Sequence, residues 1–311
     1  MELFDLHCDT AYECVARLGG VNLDQGAFHL SLARGRAIRR WRQVFAVFMP
    51  DEYRGADAVA HYERVRDYLY RQERLFPGEF SIVRSAAQWK TATGCRAVLS
   101  VEGGSALAGD LSRVKSLYDD GVRLITLTWN ARNELGDGVL AEGGGGLTPF
   151  GRDVVKEMNR LRMAVDVSHL SDAGFRDVAE ISQAPFVASH SNARRLCGHP
   201  RNLTDEMIGI ISRRGGLIGL NFCRDFLRAD GKAGIPDILR HAEHMLSLGC
   251  GDCLCLGSDF DGTDIPDGMT GIESMETLYE AFLRIGYSEA LAVKIFSRNA
   301  EQYFLKHIFE E

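Results

Sequence analysis

Short apolar runs rich in Val, Ile, Leu, Phe and Ala recur near 3–8, 43–48, 96–101, 123–128, 163–167, 185–189, 216–221 and 254–258. Each is short enough for a buried strand, and the segments between them carry helical spacing, as in Ala56 to Phe76, Pro149 to Leu161, Ser171 to Ile181, Thr204 to Arg214, Pro236 to Leu248 and Ser288 to Leu305. Strand alternating with helix requires a parallel sheet covered by helices. Eight repeats in 311 residues suit a closed (β/α)8 barrel, an α/β fold; an open doubly wound sheet is the alternative. Phe80 to Val83 reads as an ornament before a helix around Ala86 to Trp89 rather than as a barrel strand.

What favours the barrel is where the polar residues stand. His7, Asp9, Glu102, His169, His190 and Asp259 all fall where an apolar run stops. Barrel active sites are built at the C-terminal ends of several strands, so these side chains are expected to converge.

The strand rhythm runs through the chain without a Pro/Ser-rich linker, long charge block or internal repeat, which predicts one domain over 1–311. A net charge of −7 with scattered basic residues argues against a nucleic-acid footprint. Arg34, Arg36, Arg39, Arg40 and Arg42 cluster, and read as a solvated loop or helix face before the second strand. No apolar run reaches the ~18 residues of a membrane span, and the first strand begins too early to leave a signal peptide. The eight cysteines, Cys253 and Cys255 among them, read as reduced core thiols. Together these features predict a cytoplasmic protein that binds neither membrane nor nucleic acid.

The chemistry of the six residues points to a binuclear metal site. In Asp5-Leu6-His7-Cys8-Asp9 the period of two in a strand puts His7 and Asp9 on one side and Cys8 on the other. Glu102 has two carboxylate oxygens and can bridge two ions ~3.5 to 4 Å apart, with Gly103 and Gly104 letting the backbone turn beneath it. His169 and His190 end successive strands, and Asp259 ends the last strand, which neighbours the first in a closed barrel. Mixed imidazole and carboxylate ligands without thiolate suit Zn²⁺, with Mn²⁺ or Co²⁺ as substitutes. Two divalent ions balance Asp9, Glu102, Asp259 and one bridging hydroxide, a nucleophile available near neutral pH. Because that cluster is neutral, an anionic substrate needs a separate Arg or Lys.

Other motifs carry less. Gly143 to Gly146 lacks the Gly-Lys-Ser/Thr of a phosphate loop and reads as a mobile loop, placed where it could cover the metal site as a lid. His241 and His244 read as helix-packing or surface residues, and the absence of a Gly-x-Ser-x-Gly elbow removes a serine hydrolase.

With these residues in place, the chain resembles the membrane (renal) dipeptidase family of zinc peptidases and its bacterial members. The likeness lies in Asp5-Leu6-His7-Cys8-Asp9-Thr10, Ser100-Val101-Glu102-Gly103-Gly104, Leu124 to Thr128, Gly146 to Gly151, Asp166-Val167-Ser168-His169-Leu170-Ser171-Asp172, Ser189-His190-Ser191, Arg201-Asn202-Leu203 and Gly257-Ser258-Asp259-Phe260-Asp261-Gly262. It implies a zinc held by His7, Asp9 and Asp259, a second held by His169 and His190, and Glu102 shared by both. It also implies that Arg201 binds the free carboxylate of a dipeptide, that Asp259 receives its amine and handles the transferred proton, and that the protein is a homodimer. D-residues at the second position are a further family implication. The chain departs from the family at Trp129, followed by Asn130, where better-known members carry a substrate-contacting histidine; Asn130 or Asn133 is expected to assume part of that task. Ser105 likewise stands where a histidine often follows Glu-Gly-Gly. The expected activity is therefore dipeptide hydrolysis, with hydrolysis of another amide or a lactone, and a non-catalytic peptide-binding protein, as alternatives.

Overall fold

The computed structural model describes residues 1–16, 20–25 and 28–309. Nine strands form one parallel sheet: β1 (Glu2–Asp5), β2 (Arg40–Phe48), β3 (Phe80–Ile82), β4 (Cys95–Glu102), β5 (Val122–Thr126), β6 (Ala164–Asp166), β7 (Val187–Ala188), β8 (Leu217–Leu220) and β9 (Leu254–Leu256). Neighbours run β2-β1-β9-β8-β7-β6-β5-β4-β3, and a further pairing of β2 with β4 closes the ring. The barrel therefore has eight members, and the doubly wound alternative falls. The ninth strand, β3, pairs only with the first half of β4, Phe80 against Cys95, while β5 takes its second half from Leu99 onward. It lies outside the ring because β4 is long enough to serve two neighbours end to end.

The helices follow their predicted starts because the capping residues are there. Ser171 accepts from the Gly174 N–H and Thr204 from Met207, while Thr148 accepts from Gly151 with Pro149 at the first helical position. Side chains of β2, β4, β5, β7 and β8 (Val44, Val98, Leu124, Val187, Leu217) pack with Phe4 inside the barrel. A last helical stretch, Glu289 to Ile308, interrupted by wide π-type turns, closes its lower end with Tyr303, Phe304 and Ile308. The Phe304 and Phe4 rings lie 5.0 Å apart.

The arginine cluster divides, contrary to its reading as a solvated face. Arg42 is a member of β2 and fully buried, bonded to Ser297 and Glu301 of the closing helix and lying 5.5 Å from the centre of the Trp89 ring. Its planar guanidinium ties the barrel floor to its plug. Arg36 and Arg39 remain exposed and pair with Glu79 and Glu2. All eight cysteines are buried and free. No helix among the described residues is long and apolar enough to cross a membrane.

Candidate metal centre and active site

The barrel's upper rim delivers all six sequence-selected residues to one place. Glu102 is the last residue of β4 and still paired with Phe48. The others lie beyond the ends of their strands, on the turns that follow. The side alternation of His7, Cys8 and Asp9 survives because Cys8 forms an isolated bridge with Phe260 and turns its thiol to the Val44 carbonyl. His169 and Asp259 take positive φ values of 64° and 61°, a costly conformation for residues with a Cβ. Gly262 follows with space for no side chain, since a Cβ there would stand 2.1 Å from Asp9 Oδ2 and 2.4 Å from Asp259 Oδ1.

Glu102 stands at the centre. Its Oε1 lies 3.0 Å from His169 Nε2 and 3.5 Å from His190 Nε2, and its Oε2 lies 3.4 Å from His7 Nε2. His7 Nε2 is in turn 3.3 Å from Asp9 Oδ2 and 3.9 Å from Asp259 Oδ1. Ligand atoms of His7, Glu102 and His190, and of His7, Asp9 and Asp259, form two overlapping groups with His7 common to both, either compact enough to hold an ion. All six residues are buried.

Several features show that the donor set suits cations. The two Nε2 atoms of His169 and His190 face each other at 2.9 Å. Burial pushes the His169 imidazole down to about 3, aided by the Arg201 charge, and pushes His190 well below the usual range, so both rings are neutral. Two neutral rings can direct lone pairs to a shared point only if a positive charge lies there. Asp9 Oδ1 is buried without a hydrogen-bond partner. Burial raises Asp9 and lifts Asp259 to about 8, with the neighbouring carboxylates adding to it, whereas at Glu102 burial is opposed chiefly by the His7 charge and the carboxyl is held well below the usual range. Three carboxylates packed together out of water call for cations.

The outer nitrogens of the two histidines are fixed as well. His169 Nδ1 meets Asn130 Oδ1 at 2.9 Å, which places the proton on Nδ1 and the lone pair on Nε2. His190 Nδ1 lies 2.7 Å from Ser189 Oγ. Asn221 donates to Asp259 Oδ2 at 3.0 Å.

Above these residues opens a cavity of about 480 Å³, lined by Asp9, Glu102, His169 and Asp259 together with Arg201, Trp129 and Asn130. Arg201 is buried, donates to the His190 carbonyl at 3.2 Å, lies 5.2 Å from the Phe226 ring centre and leaves its Nε–H without a partner. Trp129 packs edge-to-face on Phe48 at 4.9 Å. Asn133 does not reach the cavity: its amide holds the Leu127 carbonyl and its carbonyl accepts from Leu135 and Gly136, so the expectation of a substrate role fails at this residue. Ser105 is buried in the turn after Glu102 and also stands away from the cavity.

The glycine-rich segment is tied down at its far end, where Gly145 donates to Asp137 and Leu147 to Asp177. Nearer the rim, Val139 donates to the His169 carbonyl, and Leu140 lines the cavity while 59% exposed. His241 and His244 do pack rather than ligate: His241 lies within hydrogen-bonding distance of the Ala193 N–H and the Leu227 carbonyl, and His244 of Asp205.

Sequence reasoning passed over Asp5, Asp166 and Asn221 beneath the site, and the Tyr12, Phe48, Leu140 and Phe226 walls. Asp5 and Asp166 carried a signal, since Ser168, Ser189 and Ser258 each precede a candidate ligand, and a serine before a ligand needs a partner below it; Asn221 carried none. The apolar walls carried none, because such residues are indistinguishable from core.

Known proteins agree with this geometry. Residues 1–305 match the family described as membrane dipeptidase, peptidase family M19. The structure of a metallo peptidase called dipeptidase AC superposes with a TM-score of 0.94 at 30% identity, covering 100% of this chain and 99% of that one. A metallo peptidase from Rhodobacter sphaeroides, liganded with a phosphinate mimic of the dipeptide L-Ala-D-Ala, gives a TM-score of 0.93 at 29% identity, covering 99% of each chain. Dipeptidase 3 of Mus musculus is 29% identical over 254 residues, which span 79% of this chain and 51% of that protein. The chain belongs to the membrane dipeptidase family, and is a metal-dependent dipeptidase built on a (β/α)8 barrel.

Proposed function

We propose that the protein, acting as one barrel unit over 1–311, hydrolyses dipeptides, those with a C-terminal D-residue included, with two Zn²⁺ ions held by His7, Asp9 and Asp259 on one side and His169 and His190 on the other. The observation that carries this reading is the division of Glu102, with one oxygen 3.0 Å from His169 and the other 3.4 Å from His7, as a shared ligand requires. When bound, the ions supply Lewis acidity at the scissile carbonyl and hydroxide near neutral pH.

The chain's own residues supply binding and proton handling. Arg201 has an unpartnered buried Nε–H and grips the free carboxylate of the second residue. That guanidinium fixes the length of the substrate, because a longer peptide has no carboxylate at this distance from the centre. Asp259 receives the substrate amine and passes a proton to the leaving nitrogen. Asn130 keeps His169 in register, and Trp129 with Phe48 forms an apolar wall that excludes water from the reacting carbonyl. The mimic of L-Ala-D-Ala held by the Rhodobacter sphaeroides relative supports the D-residue reading. Hydrolysis of another amide or a lactone is the second reading, favoured by Trp129, whose indole N–H donates a hydrogen bond but carries no positive charge.

Ninhydrin-detected hydrolysis of a panel including L-Ala-L-Ala and L-Ala-D-Ala, alongside blocked amides and lactones, tests both. Zinc-reconstituted protein is expected to cleave the dipeptides, and a His190→Ala control to lose that turnover. Cleavage of blocked substrates alone would transfer the function to the second reading.

A further inference from the structure

Below the metal-ligating side chains lie two buried carboxylates that touch neither the cavity nor any ligand's side-chain donor atom, and they are arranged alike. Asp166, the last residue of β6, accepts four hydrogen bonds: Ser168 N–H at 3.0 Å, Ser189 N–H at 2.9 Å, Ser189 Oγ–H at 2.5 Å and Thr126 Oγ–H at 2.6 Å. Asp5, the last residue of β1, accepts three: Ser258 N–H at 2.7 Å, Ser258 Oγ–H at 2.6 Å and Gln43 Nε2–H at 2.7 Å. In both cases a strand-end aspartate grips the backbone N–H and the hydroxyl of one serine just past the end of the neighbouring strand. In both, that serine is the residue before a candidate ligand, His190 or Asp259. Asp166 also holds Ser168, which precedes His169, and Asp5 itself lies two residues before His7.

The first clamp reaches its ligand through a chain of protons. A serine hydroxyl has one hydrogen, and at 2.5 Å that of Ser189 belongs to Asp166, since the carboxylate can only accept. Ser189 Oγ must therefore accept at its 2.7 Å contact with His190, so the imidazole carries its proton on Nδ1 and leaves Nε2 bare toward Glu102 and His169. The second clamp has no such relay. It fixes the backbone from which Asp259 departs at φ 61°, and Asn221 orients the carboxylate separately.

We infer that Asp166–Ser189 and Asp5–Ser258 are matched positioning devices, the first setting the tautomer and place of His190 in one half of the metal centre, the second setting Asp259 in the other. The inference rests on the metal reading above, and its test separates the two. Removing a hydroxyl of this kind from beneath a ligand typically weakens metal binding ~10- to 100-fold. Ser189→Ala is expected to weaken one of the two Zn²⁺ equivalents by that factor in competition with a chromophoric chelator. Ser258→Ala is expected to weaken the other.

Histidine ring ¹⁵N shifts of the metal-free protein give an independent readout: with no cation between the facing Nε2 atoms one ring must donate there, and the relay makes that ring His169, leaving His190 as the Nδ1–H tautomer in the parent and in Ser258→Ala, and a mixture of tautomers in Ser189→Ala. Melting curves of the metal-free variants check that the fold persists. An unchanged His190 tautomer in Ser189→Ala would overturn the relay, and equal loss of both equivalents in each variant would overturn the division into halves. A parent protein that takes up no Zn²⁺ would sink the metal reading instead, while the tautomer measurement would still judge the relay.

Discussion

At the lower end of the barrel Phe4, Leu124 and Leu217 meet Phe304 and Phe309 in an apolar seal, whereas at the upper end the same ring of strands brings three carboxylates and three imidazoles together beneath one cavity, which Asp9, Glu102, Asp259 and His169 line. The seal follows the rules of stable packing closely, with buried rings at 5.0 to 5.5 Å and a buried arginine tied to a glutamate and a serine, though the Arg42 Nε is left without a partner. The rim breaks several. His169, Asp259 and Asp261 occupy the left-handed region of the backbone, and like charges are packed together out of water. Strain of this kind costs about 1 to 3 kcal/mol per residue and persists only where surrounding structure fixes it. The fold places cost and compensation at opposite ends of the same strands, so the rim can be tuned for chemistry without dissolving the barrel.

The contrast can be broken from either end. The largest expected effect is at the rim, where Asp259→Asn keeps the shape and the tolerated backbone conformation but removes a carboxylate proposed to hold metal. Dipeptide turnover is expected to fall at least ~10³-fold, about 4 kcal/mol in the transition state. The melting temperature of the metal-free protein should hold near neutral pH, where burial and the neighbouring carboxylates keep Asp259 largely protonated and asparagine has the shape of that neutral acid. A variant that lost stability along with activity would make the rim part of the structural core and dissolve the comparison. At the floor the signs reverse. Phe304→Ala removes a ring with no exposed surface, and urea unfolding is expected to show a loss of about 3 to 5 kcal/mol while kcat/KM in the native baseline stays within a factor of two or so.

The same contrast explains which parts of the molecule were legible in the amino-acid sequence. The barrel was readable because its eight strands are buried on both faces and so appear as apolar runs, and the six rim residues because each interrupts such a run. Runs overstated the strands, however. The run at 185–189 yields only Val187–Ala188 on the ladder, since the candidate ligands ride on turns that leave the sheet. Arg42 was misjudged because its partners, Ser297 and Glu301, lie more than 250 residues away, and no local pattern announces such a pairing. Asp5 and Asp166 were in view as parts of motifs but seemed to belong to strands. What they do depends on the register Asp5 with Leu256 and Asp166 with Val187, which exists only once the ring is closed.

The smallest effect probes the support between rim and helices. His241 is buried on the helix Ile235–Ser247, within hydrogen-bonding distance of the Ala193 N–H and the Leu227 carbonyl, and so joins the segments after β7 and β8 that flank Arg201. Burial is the main cause that pushes its imidazole down to about 4, with Arg240 and His244 lowering it further while Asp237 and the Leu227 carbonyl pull the other way. Because the folded value lies below the unfolded one of about 6.5, the unfolded chain binds more protons between them. The stability attached to a neutral His241 is thus complete above about pH 6.5 and is lost as the pH falls toward 4, by on the order of 3 kcal/mol at the limit. Urea unfolding at several pH values, for the parent and for His241→Gln, isolates this contribution as the difference between the two curves. The parent is expected to lose more stability than the variant between pH 6.5 and 4 and to match its slope above pH 7. Parallel curves across the whole range would mean that the imidazole does not titrate differently in the two states, and that the rim's support is insensitive to acid at this point.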